Sequence, residues 1–392
     1  MGLSLNKLKK LQRLIDGGVT LLGAGPMSKT TVNVVIDLSQ KFDLPIAMIP
    51  SRRQIECDAL GGGYVFNWTT EEFSDYVKFY DKKENIILAR DHCGPWQSEK
   101  LGLNGLKPSL EAEMEEVKIS LKSDISSGFD MIHIDPSLGL ENNLNSDQVR
   151  ETIFTMIEYC ESIKVNDLIY EIGTEEQYYS AANVDISEIE LKIILQGLEN
   201  KKLPKPKFYV AQTGTKVKEL RNVGNFDNEL DAKGILPASY QLPKVLGICE
   251  KYGVWLKEHN ADYLSDVGLA WHRRFGIHAA NIAPEFGVVE TSNLIKLANQ
   301  IKAEDLVDNL VEIVNSKGKW KKWMLENSKA TEYEKMLIAG HYHFSEPWFL
   351  DWRNELELRL KNKSIDLNKE LYTSIRTSIE RILLNFGYHS AL

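Results

Sequence analysis

The sequence predicts a (β/α)8 barrel, a TIM barrel of the α/β class, followed by a C-terminal helical extension. Three observations predict it: short apolar runs alternate with longer amphipathic segments, the runs number eight, and the alternation stops near residue 300. Apolar runs separated by helices imply parallel strands covered on both faces, and eight such units close a barrel. An open doubly wound sheet is the rival arrangement, and the lack of a GxGxxG after the first run counts against it. The expected division is a barrel over 1–300 and a helical extension over 301–392, packed on the barrel or on a neighbouring subunit.

In chain order the predicted strands are "VTLLGAG" (19–25), "PIAMIPS" (45–51), "IILARDH" (86–92), "MIHIDPS" (131–137), "LIYEIGT" (168–174), "FYVAQTG" (208–214), "VWLKEHN" (254–260) and "HAANIAP" (278–284). Segments such as "TTVNVVIDLSQKF", "LEAEMEEVKISLKSDISSG" and "SDQVRETIFTMIEYCESI" place apolar residues three and four apart, the period of a helix with one buried face. Several end at Gly or Asn, as helix C-caps do. Beyond residue 300, "IKAEDLVDNLVEIVNSKGKWKKWMLENS" and "NKELYTSIRTSIERILLNFG" read as helices around the aromatic-rich "HYHFSEPWFLDW" (341–352). That stretch is expected to pack the extension, with reach over the barrel mouth as the alternative.

With 43% hydrophobic and 26% charged residues, the chain of 392 residues can bury a full core. A net charge of -9 argues against nucleic acid as a partner, since a phosphate-tracking surface needs a basic excess. The N-terminal "MGLSLNKLKKLQRLIDGG" is amphipathic without an apolar core, unlike a secretory signal, and no apolar run approaches the roughly 20 residues of a membrane span. Cys57, Cys93, Cys160 and Cys249 are scattered without a CxxC, which suits a reducing compartment. A cytoplasmic protein with no membrane partner is expected.

Barrels of this kind place their active sites where the strands end and the βα loops converge. Polar residues collect at those ends. The second run leads into Arg52, Arg53 and Gln54; the third ends in Asp91 and His92; the fourth carries His133 and Asp135; the fifth carries Glu171, then Glu175. Gln212 helps close the sixth, His259 and Asn260 close the seventh, and Asp262 follows it. Two imidazoles beside carboxylates make a metal site with room for substrate, so His92 and His259 are expected as ligands. His133 alternates with Asp135 on one strand face, as either a support to the ligands or a structural residue. The Arg52-Arg53 pair suits an anionic substrate.

The ordered set "DHCGP", "GFDMIHIDPS", "IGTEE", "QTGT" and "HNADY" resembles the Z-type, accessory subunit of class II D-tagatose-1,6-bisphosphate aldolase, over residues 15 to 300. "YHFSEPWFLDW" is similar to that family's C-terminal aromatic stretch. The wider class II aldolase superfamily looks related more distantly. The resemblance implies a barrel with a divalent metal, zinc first and manganese or cobalt next, on His92 and His259, with Asp91 moving the proton. By the same likeness Asp135 and Glu171 or Glu175 stand where that superfamily has carboxylates. Two departures stand out. Gln212 replaces the sixth-strand histidine of catalytic aldolases, leaving Glu175 as the best substitute ligand by charge, and "HNADY" lacks the Gly-Ser loop that grips phosphate.

Three functions follow as expectations. The first is a metal-dependent aldolase acting on a ketose phosphate or related sugar, with Asp91 and Glu175 catalytic, His92, His259 and Glu175 on the metal, and Arg52, Arg53, Gln54, Asp135, Gln212, Asn260 and Asp262 on the substrate. His133 and Glu171 would stand behind the ligands. The second is a sugar epimerase using the same metal. The third is a barrel without metal or catalysis that stabilises a catalytic aldolase subunit. A homo-oligomer is expected in each case.

Overall fold

The computed structural model describes residues 5–98, 107–173, 184–226 and 238–390. Its strands are β1 (Leu21–Ala24), β2 (Ile46–Met48), β3 (Ile86–Cys93), β4 (Met131–Ile134), β5 (Ile169–Ile172), β6 (Phe208–Val210), β7 (Val217–Lys218), β8 (Arg221–Asn222), β9 (Trp255–Glu258) and β10 (Ala279–Ile282). Eight of them form a closed barrel in the order β1-β10-β9-β6-β5-β4-β3-β2, and each neighbouring pair is parallel. Each predicted apolar run contains one barrel strand. The β7–β8 pair is a small antiparallel hairpin over the mouth side of β6, too short to show as a period in the sequence.

Local chemistry starts the helices where the sequence allows. Ser28 accepts from the Thr31 N–H ahead of Lys29–Phe42, and Thr69 with Glu72 forms a reciprocal capping box on Thr70–Tyr80. Gly276, with φ of 84°, takes the left-handed conformation that ends Asp266–Phe275 without the clash a Cβ would bring.

The extension packs on the barrel of its own chain. Ile375, Ile379, Ile382, Leu383 and Phe386 recur at helical spacing along Leu367–Phe386 and join the barrel's hydrophobic core. Tyr388 is pinned between β1 and the approach to β2: its hydroxyl accepts from the Leu22 N–H at 3.2 Å and donates to the Pro45 carbonyl at 2.8 Å. A second apolar cluster joins the helix Pro284–Gln300 to Glu304–Lys317, Glu332–Ala339 and Pro347–Lys361 through Leu294, Ile295, Leu310, Met336 and Phe349. Held at both ends, the segment between residues 320 and 345 returns over the C-terminal mouth, and Trp323, His341 and Tyr342 line a cavity there. Among the described residues, no helix is long and apolar enough to cross a membrane.

Candidate functional site

Neighbouring strand residues normally face opposite sides, so Asp91 and His92 cannot both enter the mouth from a regular strand. β3 solves this with an irregularity. Its register against β4 shifts between Arg90 and Cys93, and His92 has a left-handed φ of 47°. Such bulges re-aim side chains at strand ends. Arg90 still faces outward, where it is fully buried and paired with Asp124 at 2.8 and 2.5 Å.

Asp91, His92, His133 and His259 then converge, one ligand atom of each lying within 4.8 Å of the others. The imidazole centroids are 4.9 to 5.3 Å apart, and both His92 and His133 stand edge-on to His259. His92 Nδ1 meets Asp135 Oδ2 at 2.6 Å, which leaves Nε2 on the Asp91 side at 3.7 Å. Gln97 Nε2 donates to the same Asp135 oxygen at 2.8 Å. Asn281 Nδ2 donates to Asp91 Oδ1 at 3.2 Å. His259 Nε2 lies 3.0 Å from Glu171 Oε1, whose other oxygen accepts from Lys257 Nζ at 2.6 Å.

Two glycines make this packing attainable. A Cβ on Gly94, within "DHCGP", would sit 1.8 Å from the Asp135 carbonyl oxygen, so only glycine lets the loop after β3 lie against Asp135. A Cβ on Gly23 would come within 2.1 Å of Asn281 Oδ1, the amide that steadies Asp91.

The charges are strongly coupled. Burial opposes ionisation of Asp91, yet His92 and His259 outweigh it and hold its carboxyl well below the usual range. Burial likewise opposes charge on His92, but Asp91 and the Asp135 hydrogen bond lift it to about 9. Glu171 falls to about 2 because Lys257 and the two nearby histidines overcome its desolvation. His259 moves the other way: burial lowers it and keeps the ring neutral. Without an ion, a proton on His92 balances the carboxylates; a divalent cation would meet the same negative surroundings. His133 turns Nδ1 to the cluster, 3.4 Å from Asp91 Oδ1, where it also accepts from the His92 N–H at 3.2 Å. Three imidazoles and a carboxylate fit the donor set of a transition-metal ion.

Two cavities flank the cluster, and both touch Arg53, His92, His259 and Trp323. One carries Gln54, Asn260 and Asp262. The other carries Gln97, Asp135, Gln212, Lys216 and Lys218. Asp262 also accepts from the Ala283 and Glu285 N–H groups at 3.0 and 2.8 Å, capping the helix Pro284–Gln300 from outside, while burial and Glu285 push its carboxyl up to about 8.

The sequence expectations meet this geometry unevenly. Asp91, His92 and His259 come together, and Arg53, Gln54, Asp135, Gln212, Asn260 and Asp262 line one cavity or the other. Glu171, expected behind the ligands, meets the same nitrogen of His259, Nε2, that faces Asp91, and its Oε1 lies 3.8 Å from His133 Nδ1, so it borders the cluster. Glu175 lies outside the described residues. Arg52 is a correction: it is 2% exposed, bonds Glu56 at 2.8 Å behind the barrel wall and lines neither cavity. The turn at 51–54 sends the two arginines to opposite sides. His133, expected as a support or a structural residue, sits within the cluster itself. The sequence reading missed Trp323, His341 and Tyr342 at the mouth, although the reach of "HYHFSEPWFLDW" was the weaker alternative. It also missed Lys257, whose alternation with His259 along β9 was the available signal.

No family model matches the chain, and no curated protein matches it. Solved structures do. A probable tagatose 6 phosphate kinase from Sinorhizobium meliloti 1021 has a TM-score of 0.74 at 14% identity, covering 93% of this chain and 100% of that one. The fructuronate-tagaturonate epimerase UxaE from Cohnella laeviribosi has a TM-score of 0.58 at 10% identity, covering 97% and 85%. The fructose-bisphosphate aldolase of Campylobacter jejuni has a TM-score of 0.53 at 10% identity, covering 96% and 93%. At these identities the likeness is one of fold alone.

Proposed function

We propose that this protein is a divalent-metal-dependent enzyme of aldol chemistry, cleaving or re-forming a carbon–carbon bond in an open-chain sugar that carries a phosphate or carboxylate. The observation that carries the reading is the convergence of Asp91, His92, His133 and His259 within 4.8 Å at the C-terminal mouth of the barrel. His92, His133 and His259 would hold the ion, with zinc favoured by the imidazole-rich donor set. Bound there, the ion would supply Lewis-acid polarisation of the sugar carbonyl.

The chain's own residues do the rest. Asp91, ionised and steadied by Asn281, takes the proton from the hydroxyl on the carbon beyond the scissile bond. As that C–O becomes a carbonyl, the bonding pair passes to the fragment that bears the ketone; in the reverse direction Asp91 returns the proton. Asp135 fixes the ring of His92 from its far nitrogen, as carboxylates behind metal-binding histidines do, and Glu171 holds His259 Nε2 from the side of Lys257. Arg53, Lys216 and Lys218 suit the anionic end of the substrate. Gln54 and Asn260 suit its hydroxyls.

An epimerase reading is favoured by the aromatic residues at the mouth. Trp323 and Tyr342 add an aromatic wall to the cavity, and a fragment held there can turn and rejoin before it leaves. One experiment addresses all three functions: metal content of wild type and His259→Ala, followed by incubation with ketose phosphates and uronates while aldehyde release and stereoisomer formation are measured separately. About one ion per chain, lost in the variant, with either product, is the expected result. Neither metal nor turnover, after incubation with zinc, manganese or cobalt, would overturn the proposal and leave support of a partner aldolase as the surviving reading.

A further inference from the structure

His341 is 1% exposed, and neither of its ring nitrogens has a hydrogen-bond partner. Native proteins seldom leave both nitrogens of a buried imidazole unmet, because each lost hydrogen bond to water goes uncompensated. The ring is held by packing instead. The Tyr342 ring lies 4.1 Å away centroid to centroid, and a Cβ on Gly287 would come within 2.6 Å of His341 Cγ, so the helix Pro284–Gln300 leaves just enough room for it. It lines the cavity beside His92 and His259 that also carries Gln54 and Asn260.

Burial, with Lys322 and His343 nearby, lowers His341 to about 3, which keeps it uncharged. A neutral imidazole offers one donor and one acceptor, the complement of a hydroxyl group. Arg53 borders both cavities, whereas Lys216, Lys218 and Lys322 line the other one alone. Positive charge is therefore weighted to that end of the mouth, which suits an anion, and the end at His341 suits hydroxyls.

We infer that His341, supplied by the C-terminal extension, is a substrate-contacting residue that hydrogen-bonds a hydroxyl at the end of the sugar remote from its anionic group. This rests on the aldol reading of the cluster for the direction in which the substrate lies. It makes the extension part of the substrate site, and it makes His341 a determinant of the chain length that the site accepts.

The test uses the full-length, zinc-loaded protein and two probes titrated by calorimetry. Dihydroxyacetone phosphate is too short to span from the basic cavity past the cluster; D-fructose 1-phosphate adds a hydroxyl-bearing tail. His341→Leu is expected to weaken the longer probe about tenfold while the shorter changes less than about twofold. His341→Gln, which keeps a donor and an acceptor, should recover part of the loss. Zinc content should be unchanged in both variants. The melting temperature of His341→Leu should equal or exceed that of wild type, because leucine removes two unmet polar atoms. Equal weakening of both probes, no weakening of either, or a lowered melting temperature with both probes weakened would overturn the inference. A wild type that holds zinc and binds neither probe would instead sink the sugar-phosphate reading, and the inference with it.

Discussion

Arg90 and Asp91 are consecutive residues of one strand, yet they belong to two charged regions of opposite character. Behind the wall, Arg90 forks onto Asp124 and also donates to the Ile55 carbonyl at 2.6 Å, while Arg52 bonds Glu56 nearby. There each carboxylate meets a guanidinium in the fixed geometry that best repays desolvation. In the mouth, three histidines and Asp91 point at one another with no arginine among them. The first region is charge arranged to hold a loop; the second is charge whose ligand atoms converge on one point. Burial and ion pairing occur in both, so neither separates the two regions, whereas convergence of ligand atoms does.

The comparison breaks most sharply at Arg90. Arg90→Met leaves Asp124 buried without its cation and is expected to cost about 3–5 kcal/mol of stability, read from urea unfolding. Mutating the mouth should not do this: His133→Ala is expected to abolish metal binding while the metal-free protein unfolds within about 1 kcal/mol of wild type. A large loss of stability in the metal-free variant would make the cluster a structural network after all.

Glu290 sharpens the contrast, being a buried carboxylate whose hydrogen bond is to the hydroxyl of Ser28, at 2.5 Å. Burial raises it to about 7 from an ordinary value of 4.5. The folded protein keeps this proton up to about pH 7, whereas the unfolded chain releases it near 4.5. Between those values the folded state binds more protons, so its stability falls as pH rises. The loss should total about 3 kcal/mol and be complete above pH 7. Comparing the pH dependence of unfolding in wild type and Glu290→Gln isolates it, and identical slopes would refute the assignment.

Asp91→Asn keeps the shape of the mouth and removes its base. Turnover is expected to fall about a hundredfold or more with metal content retained. Loss of the metal along with activity would show Asp91 to be chiefly a ligand. The smallest effects separate the two arginines: Arg53→Ala should weaken binding of inorganic phosphate by about 1 kcal/mol without shifting the melting temperature, and Arg52→Met should do the reverse.

Much of this was legible in the residues. Eight apolar runs predicted eight strands because burial on both faces leaves a continuous apolar signature that tolerates no insertion. Asp91, His92 and His259 were found because position along a strand fixes which end of a barrel a residue occupies. Other features depend on angles that one-dimensional spacing does not carry. "RR" at 52–53 reads as one basic patch, and only the turn geometry sends Arg52 behind the barrel wall to Glu56 and Arg53 to the mouth. His133 was seen to share a face with Asp135, but its distance to His92 follows from the register of β4 against a bulged β3.

The sequence by itself determined the barrel, its direction and therefore the face on which chemistry collects, since these follow from hydrophobic period and strand order. The tertiary structure alone decided which polar residues converge and which merely pair. A shift of one residue at the bulge, or a different return path for the extension, would leave every local preference satisfied and move His92 or His341 out of the mouth. Convergence is a property of distances between segments far apart in the chain, and those distances are set by packing.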